Sequence, residues 1–393
     1  MTVIAIDGRE LGGRPTGVGR FLSHLLAAWE RLPEAAAHEF VLYVPAFARA
    51  SAAPRASAGE PPSAVRLPPG EHASVPPCVL RLPPGLPVRV RVVPGGSGTW
   101  WEQGRLASAV RRDRPDVLFC PAYTAPIATR VPVVVALHDV SFLAHPEWFP
   151  PRTGFRRRLL ARLAARRAAA IFTISRFSCS EIVTRLKVPP GRVRVVPLAP
   201  GGPPIPQGVP REPMVLYVGS IFNRRHLPEL MAACGRLAAG HPDVRLEVVG
   251  EDRTYPRQDL AAAAAASGLG DRLTLRSYLP DEDLARLYAK ASAFAFLSDY
   301  EGFGLTPLEA LAAGVPAVLG DTPVAREVCG EAASYVPTRD VGAIAASLES
   351  VLYDPATRDR LLAAAPATLS RYSWDRVGRD TLDVLLAAAR GRG

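Results

Sequence analysis

The stretch SDYEGFGLTPLEALAAGVPAVLGD, residues 298–321, holds two glutamates, Glu301 and Glu309, with seven residues between them. The run before it, Ala293–Leu297, is short and apolar, which predicts a buried strand with Ser298–Gly304 as the loop at its carboxyl end. Thr306-Pro307-Leu308-Glu309 predicts a helix start: Thr306 as N-cap, Pro307 at the first helical position, Glu309 closing a capping box. Gly314 ends that helix and Val315-Pro316 opens the next strand. Strand, loop, helix and strand in this order make a parallel α/β unit, and such sheets bind ligands beyond the carboxyl ends of their strands. Glu309 therefore has two readings, helix cap or ligand contact. Glu301, on a glycine-flanked loop at a strand mouth, reads as functional.

The same helix start offers free backbone N–H groups and the positive end of a helix dipole, which suits phosphate. Glycines at 302 and 304 let a ligand approach the backbone. Carboxylates beside a phosphate would repel it and would instead accept hydrogen bonds from neutral hydroxyls. Phosphate plus polyol describes a nucleotide sugar.

Working outward, a series of strands alternates with amphipathic helices on either side of this stretch: Met214–Val218, Arg245–Val249, Leu273–Arg276, Ala293–Leu297 and Ala317–Leu319. An earlier series contains Val3–Ile6, Phe40–Val44, Val117–Cys120, Val131–Leu137, Ala170–Ile174 and Val193–Pro197. The Pro/Gly segment Gly201–Pro206 separates them. The expected fold class is α/β, with two Rossmann-like domains facing across a cleft. The expected division is 1–200, a linker 201–212, 213–371, and a C-terminal helix within 372–393. Residues 45–98, dense in Pro, Ala, Gly and Ser, read as a partly mobile loop insertion with a short strand at Val88–Val93.

Bulk properties narrow the function. The chain has 393 residues, 48% hydrophobic and 21% charged, as in soluble globular proteins. No run of about 18 apolar residues predicts a membrane span. MTVIAIDGRE lacks the pattern of a signal peptide, so a cytoplasmic location is expected. Five scattered cysteines without a Cys-x-x-Cys pair favour free thiols over disulfides or zinc. The net charge of +10 comes almost wholly from Arg, Lys187 and Lys290 being the only lysines. No basic stripe with interleaved aromatics is present, so nucleic acid is not an expected partner.

Three further stretches carry chemistry. Arg224 and Arg225 follow the strand Met214–Val218 and can neutralise a diphosphate, or form a solvated surface pair. His138 stands beside Asp139 at the end of Val131–Leu137. Gly13, Gly17 and Gly19 match neither the dinucleotide fingerprint nor a P-loop. Asp281-Glu282-Asp283 spells Asp-x-Asp but opens an amphipathic helix, so it reads as N-cap and first-turn acids and not as a metal site. RTGFRRRLLARLAARR, residues 152–167, fits either a basic helix resting on an anionic membrane or a solvated helix face.

The Glu-x7-Glu stretch EGFGLTPLEALAAGVPAV resembles the signature of family 4 retaining glycosyltransferases of the GT-B fold. GRPTGVGRF, LHDVSFLAHPEWFP, TISRFS, RVRVVPLAP, LYVGSIFNRR, YLPDEDLARLYAKASAF and YSWDRV follow that family's order over nearly the whole chain outside residues 45–98. HDVSFLAHPEWF and GVGRF are similar to bacterial mannosyltransferase-like members that build surface polysaccharides. One departure is the sequence Arg224-Arg225-His226, where the family usually has Arg-Lys-Asn or Arg-Lys-Gly.

The resemblance implies roles. Glu309 would bind ribose hydroxyls, Glu301 would contact the donor sugar, Arg224 and Arg225 would hold the diphosphate, and His138 would lie near the reaction centre. Gly12, Gly13 and Gly17 would form the loop over phosphates and acceptor. Tyr278 and Leu279 would face the base. Ser220, Gly302, Phe303, Gly304 and Leu305 would complete the donor site. It implies a retaining, metal-independent hexosyltransferase without cofactor, using a GDP-mannose-like or UDP-hexose donor. The acceptor would be a saccharide, a lipid-linked saccharide or a small molecule, in glycan, glycolipid or glycosylated-metabolite biosynthesis. Its C-terminal helix would cross back to the first domain. The competing readings are a sugar-nucleotide epimerase of the same fold and a non-catalytic basic membrane-binding protein. A glycoside hydrolase would need two opposed carboxylates.

Overall fold

The computed structural model describes residues 1–12, 17–46, 64–66 and 79–391. Its strands in chain order are β1 (Val3–Asp7), β2 (Glu39–Pro45), β3 (Ala64–Arg66), β4 (Val79–Arg81), β5 (Val88–Val93), β6 (Val117–Cys120), β7 (Val133–Ala136), β8 (Ala170–Thr173) and β9 (Val193–Val195). There follow β10 (Glu212–Val218), β11 (Arg245–Val249), β12 (Leu273–Arg276), β13 (Ala291–Phe296), β14 (Ala317–Gly320) and β15 (Ala333–Val336).

Two parallel sheets form, as the alternation of strands and helices demands. The first has the order β5-β2-β1-β6-β7-β8-β9 and the second β12-β11-β10-β13-β14-β15. Every pairing within them is parallel. A parallel sheet needs helical crossovers, which cover both faces, so its central strands read as unbroken apolar runs. VLFC of β6 and VVVA of β7 are buried at every position. Each sheet's order reverses once, between β1 and β6 in the first and between β10 and β13 in the second. Those two switch points open a crevice at the carboxyl ends of the strands.

The helix Trp374–Arg390 crosses back to the first sheet. Its apolar face carries Val377, Leu382 and Leu385, all buried. Trp29 Nε1 donates to the Gly378 carbonyl at 2.9 Å, and Trp374 Nε1 donates to the Pro200 carbonyl at 3.0 Å. One apolar cluster consequently runs from Ile4 and Phe21 in the first half to Val215 and Phe294 in the second. Burying an aromatic or aliphatic side chain contributes roughly 1.5–3 kcal/mol, so this helix ties the halves with several such contacts.

Several sequence expectations shift. β15 was not expected from the sequence, because ASYV is short and half of it is only partly buried. β5 joins the edge of the first sheet, while residues 47–63 and 67–78 of the Pro-rich segment lie outside the described residues. The helix after Glu301 spans Leu305–Ala312 and starts earlier than the capping-box pattern predicts. Gly304 is its N-cap, at φ 107° and ψ 64°, with no side-chain cap. That left-handed backbone suits glycine and turns the chain sharply off β13, which puts Thr306 and Pro307 inside the helix. Glu309 therefore closes no capping box. Likewise Pro280, not Asp281, is the N-cap of Asp281–Lys290, and all three acids fall in its first turn.

Candidate functional site

The site grows from the β10/β13 switch point. β10 leads into a one-turn helix, Asn223–Arg225, that presents both arginines. Arg225 Nε donates to Glu301 Oε1 at 2.8 Å, and its Nη1 donates to the Ser220 carbonyl at 2.7 Å. Ser298 Oγ donates to the same Glu301 oxygen at 2.8 Å. Burial acts against the charge on Arg225, but Glu301 outweighs it and holds the guanidinium firmly protonated. Burial likewise works to raise Glu301, and Arg225 with Arg224 pulls it below its ordinary value. Arg224 lies over the Phe222 ring at 4.3 Å and over Trp148, a residue of the first half, at 5.5 Å. Its Nε donates to the Tyr300 carbonyl at 3.1 Å. Glu301 thus does more than the sequence implied: it is the anchor of Arg225.

The first half supplies the opposite wall. His138 follows β7 and is buried, its Nε2 2.9 Å from the Pro121 carbonyl oxygen. Burial lowers its pKa, so it is neutral at pH 7. Phe21 of the helix Gly17–Arg31 packs edge-on against it at 5.2 Å. The two mouths abut directly. Any side chain on Gly302 would collide with the His138 carbonyl. Ser175 Oγ and Ser178 Oγ, at the start of the helix Arg176–Leu186, donate to the Gly302 carbonyl at 2.7 and 3.0 Å. Glu327 accepts the first backbone N–H groups of that helix, Arg176 at 2.7 Å and Phe177 at 2.9 Å. The glycine here is needed for close approach, and the helix dipole favours the carboxylate.

Glu309 sits elsewhere in the crevice. Its Oε2 accepts Tyr288 OH at 3.5 Å and its side chain lies against Gly202. Burial raises its pKa. The Arg20 charge, Tyr288 and a backbone group at Gly201 oppose that rise, and the carboxylate keeps acceptor capacity for hydroxyl donors. Tyr278 is exposed and Leu279 is half-buried, both just ahead of the helix Asp281–Lys290. Leu305 opens the helix after Gly304, and Phe303 is buried against Tyr372. Gly12 ends the turn Arg9–Leu11, Gly17 begins the next helix, and Gly13 lies outside the described residues. The structure thus gathers Ser220, Arg224, Arg225, Glu301, Gly302 and His138 around one junction.

Sequence reasoning missed the serines and Glu327 at that junction, although Ser175 and Ser178 lie inside the quoted TISRFS segment. It also missed Asp7, Arg9 and Glu102 at the β1/β6 switch point. Arg9 bridges Asp7 at 2.9 Å and Glu102 at 2.8 Å, all three nearly buried. No local spacing signals a pair 93 residues apart.

The profile described as Glycosyltransferase Family 4 matches residues 15–199, and that of Glycosyl transferases group 1 matches residues 206–368. A glycogen synthase from Mycobacterium tuberculosis is 30% identical over 297 residues, 71% of this chain and 70% of that protein. The chain belongs to the family 4 glycosyltransferases. O-antigen chain mannosyltransferase B of Escherichia coli is 29% identical over 265 residues, 64% of this chain and 69% of that protein. Among solved structures, a sucrose-phosphate synthase from Thermosynechococcus elongatus superposes with a TM-score of 0.70 at 17% identity, covering all of both chains. Anabaena HepE in complex with UDP and glucose gives 0.67 at 16% identity, covering 98% of this chain and all of that one. The fold of this glycosyltransferase is GT-B. Among the described residues, no helix is long and apolar enough to cross a membrane.

Proposed function

We propose that this glycosyltransferase is a retaining, metal-independent hexosyltransferase that moves a hexose from a nucleoside-diphosphate sugar to an acceptor hydroxyl. The observation that supports it is the junction of the two strand mouths, where Gly302 abuts His138 within reach of the Arg225–Glu301 pair. Arg224 and Arg225 neutralise the departing diphosphate, with the helix start after Gly304 adding its dipole. Glu309 accepts hydrogen bonds from the ribose, Tyr278 and Leu279 face the base, and Glu301 keeps Arg225 aimed while its second oxygen meets the sugar. His138, neutral, lines the sugar side. The anomeric carbon gains oxocarbenium character, the acceptor enters on the face the phosphate leaves, and a leaving-phosphate oxygen takes its proton. The protein contributes position and electrostatics.

The mannosyltransferase relatives, one of them a GDP-mannose:cellobiosyl-diphosphopolyprenol alpha-mannosyltransferase from Komagataeibacter xylinus, favour GDP-mannose as donor and a glycan or lipid-linked saccharide as acceptor. The helix Pro151–Arg167 bears seven arginines and no acid, with Phe155 and Leu159 exposed between them, which fits contact with an anionic membrane. Incubation with a panel of nucleotide sugars and saccharide acceptors tests the reading. The expected result is acceptor-dependent release of nucleoside diphosphate, and proton NMR of the fresh product showing the donor's anomeric configuration kept. An inverted product would sink the mechanism, and acceptor-independent isomerisation of the donor would instead support an epimerase.

A further inference from the structure

His226 departs from its family pattern at a demanding position. Its backbone is left-handed, at φ 48° and ψ 42°, between the arginine turn and the helix Leu227–Gly240. Glycine or asparagine adopts that conformation readily; another L-residue costs roughly 1–2 kcal/mol there. Two carboxylates hold the imidazole in place. Nε2 lies 2.7 Å from Asp299 Oδ2, and Nδ1 lies 3.3 Å from Glu229 Oε1. A neutral imidazole has one N–H, so its other nitrogen would press a lone pair against a carboxylate. Only the imidazolium donates at both ends.

Asp299 is itself fixed. Thr338 Oγ1 donates to its Oδ1 at 2.6 Å, and Arg339 lies 3.7 Å from its Oδ2. It stands two residues before Glu301. Four links therefore join the arginine turn to the Glu301 loop. The Asp299 N–H donates to the Arg224 carbonyl at 2.9 Å and Arg224 Nε to the Tyr300 carbonyl at 3.1 Å. Arg225 meets Glu301 at 2.8 Å, and His226 meets Asp299 at 2.7 Å. Three consecutive residues on one side, Arg224 to His226, thus grip three consecutive residues on the other, Asp299 to Glu301.

We propose that His226, held as a cation between Asp299 and Glu229, is a positioning residue that locks the arginine turn against the Glu301 loop for the donor diphosphate. This rests on the diphosphate role proposed above for Arg224 and Arg225. The charged groups facing the imidazole are Asp299 from the loop after β13 and Glu229 from its own helix. Arg339, after β15, sits behind Asp299, and Arg224 and Arg225 precede His226 in the turn. Burial works to lower the imidazole, but the hydrogen bonds to Asp299 and Glu229 outweigh it and push it up to about 9. The folded pKa is raised, so the clamp is fully present below about 6.5, the ordinary histidine value, and is lost as pH rises through about 9.

The test is calorimetric titration of the full chain with GDP and with UDP, at pH 7 and about pH 10. Wild type is compared with His226→Asn, which keeps the left-handed backbone without the charge, and with Asp299→Asn. At pH 7 both variants should bind the tighter nucleotide about tenfold more weakly than wild type, the scale of one charge-assisted hydrogen bond. At pH 10 wild type should fall to the level of the variants. Thermal unfolding should show wild type losing Tm between pH 6.5 and 10 relative to His226→Asn. Wild type that binds while the variants match it at both pH values overturns the positioning role and leaves the diphosphate reading standing. Wild type that binds neither nucleotide overturns the diphosphate reading, and the positioning role with it. If His226→Asn does not fold, Asp299→Asn and the wild-type pH profile decide the same question.

Discussion

Arg9 and Arg225 hold matching places in the two sheets, each in the loop beyond the strand at which the order reverses. Their surroundings differ in charge. Arg9 meets two carboxylates, Asp7 and Glu102, with its side chain 9% exposed. Arg225 meets one, Glu301, and has Arg224 beside it. The first switch point therefore carries an excess of acid and the second an excess of base. Acid excess disfavours an anion at the first mouth and base excess favours one at the second. On the function proposed above, the nucleotide would take the second mouth and the first would be left for the acceptor.

The largest expected effect breaks the first side of this comparison. Arg9→Ala strands two buried carboxylates and should cost about 3–5 kcal/mol of unfolding free energy, while donor affinity in the folded fraction stays unchanged. Urea denaturation and nucleotide titration read the two separately. The pH dependence has a definite sign. Burial raises Asp7 from 3.8 to about 6 despite the opposing Arg9. The folded state thus retains a proton that the unfolded state has lost, and this group's contribution to stability falls as pH rises between about 4 and 6. Removing Arg9 takes away the influence that lowers Asp7, so the deficit of Arg9→Ala should be smaller at pH 5 than at pH 7. A variant of wild-type stability with impaired donor binding would reverse the assignment of the two mouths.

Breaking the second side should affect rate. If Arg225 holds the leaving diphosphate as proposed, Arg225→Ala removes a donor to charge that grows in the transition state, so kcat should fall about 10²–10³-fold, more than donor affinity does. Arg225→Lys should recover much of the loss. A lysine variant as slow as the alanine one would show that the site needs the fork that reaches both Glu301 and the Ser220 carbonyl.

How much of this was legible in the sequence follows from the range of each interaction. The strands at Val88–Val93, Val117–Cys120, Arg245–Val249 and Leu273–Arg276 fall where the sequence pattern puts them. Val117–Cys120 is an apolar run buried on both faces, while Val88–Val93 and Leu273–Arg276, at sheet edges and only partly buried, are written as alternation of apolar and polar residues. Arg224, Arg225 and Glu301 were legible as strand-mouth residues, but their pairing was not, since it depends on β10 and β13 being neighbours. The Gly302–His138 contact and the Arg9–Glu102 bridge depend on tertiary approach in the same way. The start of the helix at Leu305 was misread for a local reason: Thr306-Pro307 is a strong capping pattern, and a left-handed Gly304 overrode it.

That correction sharpens a third experiment. Glu309 is not a cap, so Glu309→Gln should leave the helix intact. Burial raises its pKa, which means that its charged form costs stability as pH rises through the folded value. The glutamine variant should therefore have a Tm at pH 7 no lower than wild type. Donor affinity should still weaken about ten- to hundredfold through lost charge-assisted hydrogen bonds to hydroxyls. Unchanged affinity with a collapsed Tm would return Glu309 to a purely structural role.

The smallest expected effect concerns the acids at the other helix start. Asp283 pairs with Arg286 at 2.8 Å and Asp281 with Arg20 at 3.0 Å, and both pairs are well exposed. Exposed ion pairs contribute about 0–1 kcal/mol, so Asp283→Ala should change stability by no more than that. It should leave kcat near wild type. The comparison of the two mouths explains why. If base excess at Arg224 and Arg225 already neutralises the diphosphate, a divalent ion bridging it to Asp281 or Asp283 would have little charge left to balance. Activity in excess EDTA should then equal activity with magnesium or manganese added. Activity abolished by EDTA and restored by either ion, together with a dead Asp283→Ala enzyme, would mean that the arginines do not suffice, and the charge count drawn here for the second mouth would fail.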